Sequence, residues 1–278
     1  MRLRVLVTVV VAASLAAVLG GYASRARATS RPQAAPAAAK PAGYKVVSGP
    51  TVSVPLGANV TLKATCPANL VAVGGGELDS SKSTVVMLAG SYPSGQTWVS
   101  TLHNGSAATI KAHARAVCIT IPAKFKVVNT SWTNLPMSQT EGEADCPAGT
   151  FVIGGGVKAG NTSQQAVNSS YTGNGLNWLV FENNQDAVAH NMRAIAVCGK
   201  PSYTVVQSSP IASPVDAQAS GTVACPAGEV PLSGGASSDS TNIFAEVNAS
   251  SPTAAGWKVA MNNGTPTASD FTVYAICG

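Results

Sequence analysis

The chain has 278 residues, a hydrophobic share of 45% that is ordinary for a globular protein, and a charged share of 10% that is low. Its formal charge of +5 sits at the N-terminus: Arg2, Arg4, Arg25, Arg27, Arg31 and Lys40 are six of the 17 bases, and the remainder holds 11 bases against 12 acids. A near-neutral body lacks the basic footprint that DNA, RNA or an anionic membrane requires, so no nucleic-acid partner is expected.

Residues 1–28 read as a secretory signal peptide. Arg2 and Arg4 make a charged start, Val5 to Leu19 is apolar apart from Thr8 and Ser14, and Ala26-Arg27-Ala28 offers a small-x-small cleavage site. Gly21-Tyr22-Ala23 is an earlier alternative. The apolar run is shorter than the ~20 residues of a usual membrane span, and no cysteine follows it. The expectation is a secreted, extracellular protein with no stable membrane anchor after cleavage, released because no sorting tail follows Cys277. Residues 29–43 are rich in Pro and Ala and read as a linker.

Three copies of one unit follow: repeat 1 over 44–120, repeat 2 over 125–200 and repeat 3 over 203–278. Each opens on an aromatic residue and a Val-Val pair, as in Tyr44-Lys45-Val46-Val47. Each carries two cysteines 52 positions apart. A fixed period outranks other sequence signals. Six cysteines allow 15 pairings, and the repeat selects Cys66–Cys118, Cys146–Cys198 and Cys225–Cys277. Closing a loop of this size stabilises a unit by roughly 4 kcal/mol in the chain-entropy model.

Within repeat 1, short strands are expected at 44–54, 59–66, 70–74, 84–89, 97–103 and 109–119, punctuated by Gly57, Gly90, Ser94-Gly95 and Asn104-Gly105. In the last of them Ala112, Ala114, Ala116 and Cys118 alternate with His113 and Arg115, which sets a small, inward face opposite a polar one. The expected fold is therefore all-β: three tandem antiparallel β-sandwich-like repeats of about 75 residues, each with one disulfide. The alternative is a single pseudo-threefold, β-prism-like body.

Three features recur with the cysteines. Gly74-Gly75-Gly76 and Gly154-Gly155-Gly156 lie eight residues after the first cysteine, with Ser233-Gly234-Gly235 as the third copy. Without a Lys-Ser/Thr or a following helix this is no phosphate cradle, and it reads as a bulge or a close backbone approach. Trp98, Trp178 and Trp257 recur, each with an asparagine six residues on: Asn104, Asn184 and Asn263. Serines precede them at Ser91, Ser170 and Ser251. These six Trp and Asn residues are the candidate ligand-binding set, a sugar-stacking ring beside an amide; a core Trp and a turn Asn are the structural reading. The partial exposure expected for such a platform falls on Trp98, which shares its strand face with Ser100.

The sequence Cys-Pro-Ala-Gly, Gly-Gly-Gly, Trp, Asn and a closing Ala-x-Cys resembles a repeat of uncharacterised secreted actinobacterial proteins, most closely in Cys146-Pro147-Ala148-Gly149 and Ile153-Gly154-Gly155-Gly156. Asn69 and Ser233 depart from it. The resemblance implies export from a high-GC Gram-positive bacterium and implies no activity.

No catalytic constellation recurs. His103, His113 and His190 occupy different places in their repeats, and neither a Gly-x-Ser-x-Gly elbow nor an H-E-x-x-H pair is present. Glu141, Glu143 and Asp145 alternate onto one strand side, where a solvated face outweighs a calcium site. No catalytic residue, metal or cofactor is expected. The function this favours is non-catalytic binding or surface association, with carbohydrate, cell wall or an extracellular protein as partner. A secreted hydrolase acting on polysaccharide or cell wall comes second, and a secreted inhibitor or toxin component third.

Overall fold

A computed structural model describes residues 40–161 and 163–278. The segment expected to be a signal peptide, 1–28, and most of the expected linker lie outside the described residues. Among the described residues, all regular structure is strand. Repeat 1 supplies β1 (Lys45–Ser48), β2 (Val52–Val54), β3 (Asn59–Thr65), β4 (Leu70–Asp79), β5 (Val86–Ser94), β6 (Thr97–Asn104) and β7 (Ile110–Thr120). Repeat 2 supplies β8 (Ala123–Asn134), β9 (Ser138–Asp145), β10 (Phe151–Ala159), β11 (Gln165–Tyr171), β12 (Asn177–Asn184) and β13 (His190–Lys200), its first strand running through what is two strands in repeat 1. Repeat 3 supplies β14 (Thr204–Gln207), β15 (Ile211–Ser213), β16 (Ala217–Ala224), β17 (Pro231–Ser238), β18 (Ala245–Pro252), β19 (Gly256–Asn263) and β20 (Ser269–Cys277).

The strands form three antiparallel sheets, and every sheet is shared by two repeats. Their orders are β1-β7-β4-β18-β19-β16, β3-β6-β5-β10-β13-β8 and β14-β20-β17-β11-β12-β9, with β2 and β15 added beside β7 and β20. The sandwich-like repeat is present, since β1, β2, β4 and β7 face β3, β5 and β6. Its sheets do not stop at the repeat boundary. Of the two arrangements open from sequence, separate tandem modules give way to the closed threefold body. The seams run through β4–β18, β10–β5 and β17–β11, at Glu77 with Ser250, Val157 with Ser91 and Ala236 with Ser170.

The cause lies in the seam strands. In β4, Leu70 through Glu77 are all buried, so both faces are covered, as in the central strand of a sheet. Left at an edge, such a strand would expose an apolar row of unpaired peptide groups. The strand expected over 70–74 thus runs on to Asp79, through the glycine triplet.

A bulge precedes the triplet in each copy, at Ala72/Gly74, Val152/Gly154 and Pro231/Ser233. Beyond it each glycine meets a different neighbour. A Cβ on Gly75, Gly155 or Gly234 would enter the indole ring of Trp98, Trp178 or Trp257 of the same repeat. A Cβ on Gly76, Gly156 or Gly235 would collide with the carbonyl oxygen of Ser250, Ser91 or Ser170 of the adjoining repeat. The triplet is where the chain lets both its own core and its neighbour come to backbone contact.

The disulfides join Cys66 to Cys118, Cys146 to Cys198 and Cys225 to Cys277, each with Cα atoms 5.6 Å apart. Each ties the two sheets of one repeat. Ala112, Ala114, Ala116 and Cys118 are all buried on the inner face of β7, and His113 and Arg115 are partly exposed on the other. Three disulfides and no free cysteine are the pattern of a protein that matures in an oxidising compartment.

Candidate functional site

The six Trp and Asn candidates are inside. Trp98, Trp178 and Trp257 are 1%, 1% and 0% exposed. Their indole N–H groups donate to Ser91, Ser170 and Ser250 at 2.8, 2.9 and 2.9 Å. In repeat 3 the partner is Ser250, the first serine of Ser250-Ser251-Pro252, not Ser251. The extra exposure expected of Trp98 is corrected too: Ser100 beside it is fully buried, its hydroxyl 3.5 Å from that of Ser91. The ring faces are spent on the glycine strands, so a stacking platform for a sugar is not what these side chains form.

The asparagines are equally occupied. The Asn104 amide donates to the carbonyls of Val54, Pro55 and Ala108 at 2.9, 3.1 and 2.8 Å, and its oxygen accepts from Ser106. Asn184 reaches Asn134, Leu135 and Val188, and Asn263 reaches Ser213 and Thr267. Each pins two loops together.

Those loops define one end of the body. The end of β2 pairs with the start of β7 at Val54 and Ile110, and the end of β4 approaches it at Asp79 and Ala112. The end of β6 meets the starts of β3 and β5, at Asn59 with His103 and Val86 with Asn104. The loops β2–β3, β4–β5 and β6–β7 therefore share one end. Because β4 and β18 are antiparallel, the corresponding loops of the other repeats lie there too. Leu56, Leu135 and Val215 are exposed on this end, one per repeat.

A cavity of about 290 Å³ opens among these loops. All three repeats line it, with Val85, Met87 and His103 from the first, Gln164 and Gln185 from the second, and Phe244 and Glu246 from the third. Phe244 is 46% exposed at the rim, and Glu246 is 3% exposed. The Gln185 amide donates to Glu246 Oε2 and to the Ile243 carbonyl, both at 2.9 Å, and so reaches across a seam. Burial pushes the Glu246 carboxyl up to about 8, against smaller opposing hydrogen bonds from Gln185 and Asn262. Burial also lowers His103, whose Nδ1 is 2.8 Å from Asn59 Oδ1.

The seams beneath the cavity are unequal. Asn168 and Asn183 both donate to the Ala245 carbonyl at 2.8 Å. Asn248 and Asn262 likewise hold the Val86 carbonyl, at 3.0 and 2.7 Å. At the corresponding places repeat 1 has Ala89 and His103, so the first-to-second seam has no asparagine pair, and its His103 turns to the cavity wall.

Sequence reasoning missed this site because loop tips from three repeats build it. One signal was available: Glu246 falls in the column occupied by Met87 and Ala166, an acid where the other repeats are apolar. The remaining sequence candidates do not converge. His190 pairs with Asp186 at 2.8 Å, His113 is on the outer face of β7, and Glu141, Glu143 and Asp145 lie along the open side of β9, with Glu143 accepting from Asn177 at 3.2 Å.

No family model matches the chain, and no curated protein matches it in sequence.

Proposed function

We propose that this is a secreted, non-catalytic extracellular protein that binds its ligand in the loop-end pocket. One observation carries the reading: an open cavity of about 290 Å³ sets three apolar side chains, Val85, Met87 and Phe244, against the polar groups of Thr84, His103, Ser163, Gln164 and Gln185 around a buried carboxyl. Apolar contacts beside convergent polar groups in a concavity are what a small-ligand site needs, and the polar share here, higher than usual, suits a hydrophilic ligand. The volume suits a single sugar unit or the end group of a polymer, which agrees with a carbohydrate or cell-wall partner. Binding is favoured over glycoside hydrolysis because Glu246 is the one carboxyl among the lining residues, whereas hydrolysis works with two carboxyls about 5–9.5 Å apart. The signal read over residues 1–28 supports export, and the disulfides agree with it.

The test is retention of the mature protein on cell-wall material and insoluble polysaccharides. The Phe244→Ala variant, altered at an exposed rim position, should be retained several-fold less. Equal retention of the variant would remove the pocket from the interaction, and cleavage products from the polysaccharide would replace binding by hydrolysis.

A further inference from the structure

The pocket's lining specifies a ligand chemistry, an inference that rests on the binding reading above. Among the lining residues there is neither lysine nor arginine. The titratable side chains facing the cavity are Glu246 from β18 and His103 from β6; the others that surround Glu246, Met87 from β5, Asn262 from β19 and Gln185 from the β12–β13 loop, do not titrate. An anionic ligand finds no counter-charge here. Glu77 and Glu182 are also buried in columns otherwise apolar, but Glu246 alone of the three lines this cavity, where a neutral ligand would make no use of its charge. A cation accounts for it: the carboxylate accepts a charge-assisted hydrogen bond, and Phe244 supplies an aromatic face at the rim.

We propose that the pocket binds a primary ammonium group, seated on the Glu246 carboxyl beneath Phe244. Gln185 and Asn262 hold the carboxyl in place, and Val85 and Met87 cover the carbon skeleton behind the nitrogen. An amino sugar and a lysine-type side chain both present this group, and both occur on extracellular polymers.

Proton linkage follows from the arrangement. With the pocket open Glu246 holds its proton up to about pH 8. An ammonium ion stabilises the ionised form, so its binding expels that proton. Affinity should rise as pH increases toward about 8 and then level until the amine itself loses its charge. His103, lowered by burial, is neutral over most of this range and opposes the cation only when protonated at acid pH.

The experiment is calorimetric titration of the mature protein with benzylammonium, benzyl alcohol and benzoate, in two buffers of different ionisation heat. Benzylammonium should bind with release of close to one proton at pH 6.5, and benzoate should not bind. Glu246→Gln, nearly isosteric, should weaken benzylammonium about tenfold or more and abolish proton release, while leaving any weak binding of benzyl alcohol unchanged. Phe244→Ala provides a second variant that leaves the interior intact, and should weaken benzylammonium about two- to fivefold. Benzyl alcohol binding as tightly as benzylammonium, with no proton released, would overturn the ammonium assignment and keep the pocket as a binding site. Failure of all three probes overturns the assignment as well, and the retention experiment then judges the binding reading by itself.

Discussion

The indole of Trp178 lies directly over Gly155, and nothing larger than a hydrogen fits between ring and strand. The same contact joins Trp98 to Gly75 and Trp257 to Gly234. Gly155→Ala should therefore displace the ring and cost more than the ~1–3 kcal/mol of ordinary overpacking, because the facing atoms belong to a rigid aromatic. Trp178→Ala should cost about 3–5 kcal/mol. Urea denaturation measures both. Iodide quenching of single-Trp variants should be slow and equal for Trp98, Trp178 and Trp257; ready quenching of any one would contradict the buried, serine-bonded arrangement.

A single repeat should not stand alone as a monomer. Excised residues 203–278 keep the disulfide Cys225–Cys277 but leave β17 and β18 without their partners β11 and β4. Light scattering and thermal melting of this fragment, oxidised, should show either a non-cooperative chain or an oligomer. A monomer with a sharp unfolding transition would restore the independent module.

Glu182 invites a stabilising substitution. It is fully buried, both carboxyl oxygens lack a hydrogen-bond partner among the described residues, and burial pushes its pKa well up. The other repeats place Leu102 and Met261 here, both buried. Asn134 and Gln165 accompany it with further unpartnered atoms, where repeat 1 packs Val54 and Val86. Glu182→Met should raise stability by about 1–3 kcal/mol by removing a desolvated polar group. A loss of stability would mean that the carboxyl is satisfied in solution.

Stability should fall as pH rises from acid to mildly alkaline. Burial raises Glu77 and Glu182 far above the ordinary carboxylate range, Glu246 to about 8 and Asp79 to about 6, with the neighbouring Asp79 adding to the shift of Glu77. The folded chain keeps protons that the unfolded chain releases near pH 4–4.5. The stabilisation is full below those unfolded values and is lost progressively as pH climbs through the folded ones. His103 acts in the opposite sense, since it resists protonation when folded. Thermal melts from pH 4 to 9 should give the highest Tm on the acid side, near pH 4–5. A maximum at pH 8 would show that the buried carboxyls ionise without cost.

Much of the fold was legible because repetition filters out accident. The equal cysteine spacing marked the disulfides, the alternation of Ala112, Ala114, Ala116 and Cys118 marked an inner face, and the glycine triplet marked a close approach. The partner of that approach was not legible. A strand pairs with whatever lies beside it, and nothing local in Leu70–Asp79 names β18. The unbroken burial of that strand was foreshadowed only by its run of Leu, Val, Ala and Gly without a polar alternate. Ser100 misled for a related reason, since a hydroxyl beside Trp98 implies solvent until Ser91 is seen to face it. The pocket lay furthest from view, because residues as distant as Val85, Gln164 and Phe244 become neighbours only when the three repeats close.

Sharing every sheet between two repeats also fixes how many copies a chain can hold. Three close the ring; two would leave a pair of seam strands bare, and a fourth would find no free seam to join. Lengthening or shortening such a protein one unit at a time is therefore barred. Shorter chains can make the same set of contacts only by assembling to a total of three repeats, as three separate one-repeat chains would. Chains of that size would assemble as a homotrimer, with three identical copies of every loop at the pocket's end. One polypeptide holding all three copies releases that end from symmetry, so that a single glutamate and a single phenylalanine can stand where a symmetric trimer would repeat each of them three times.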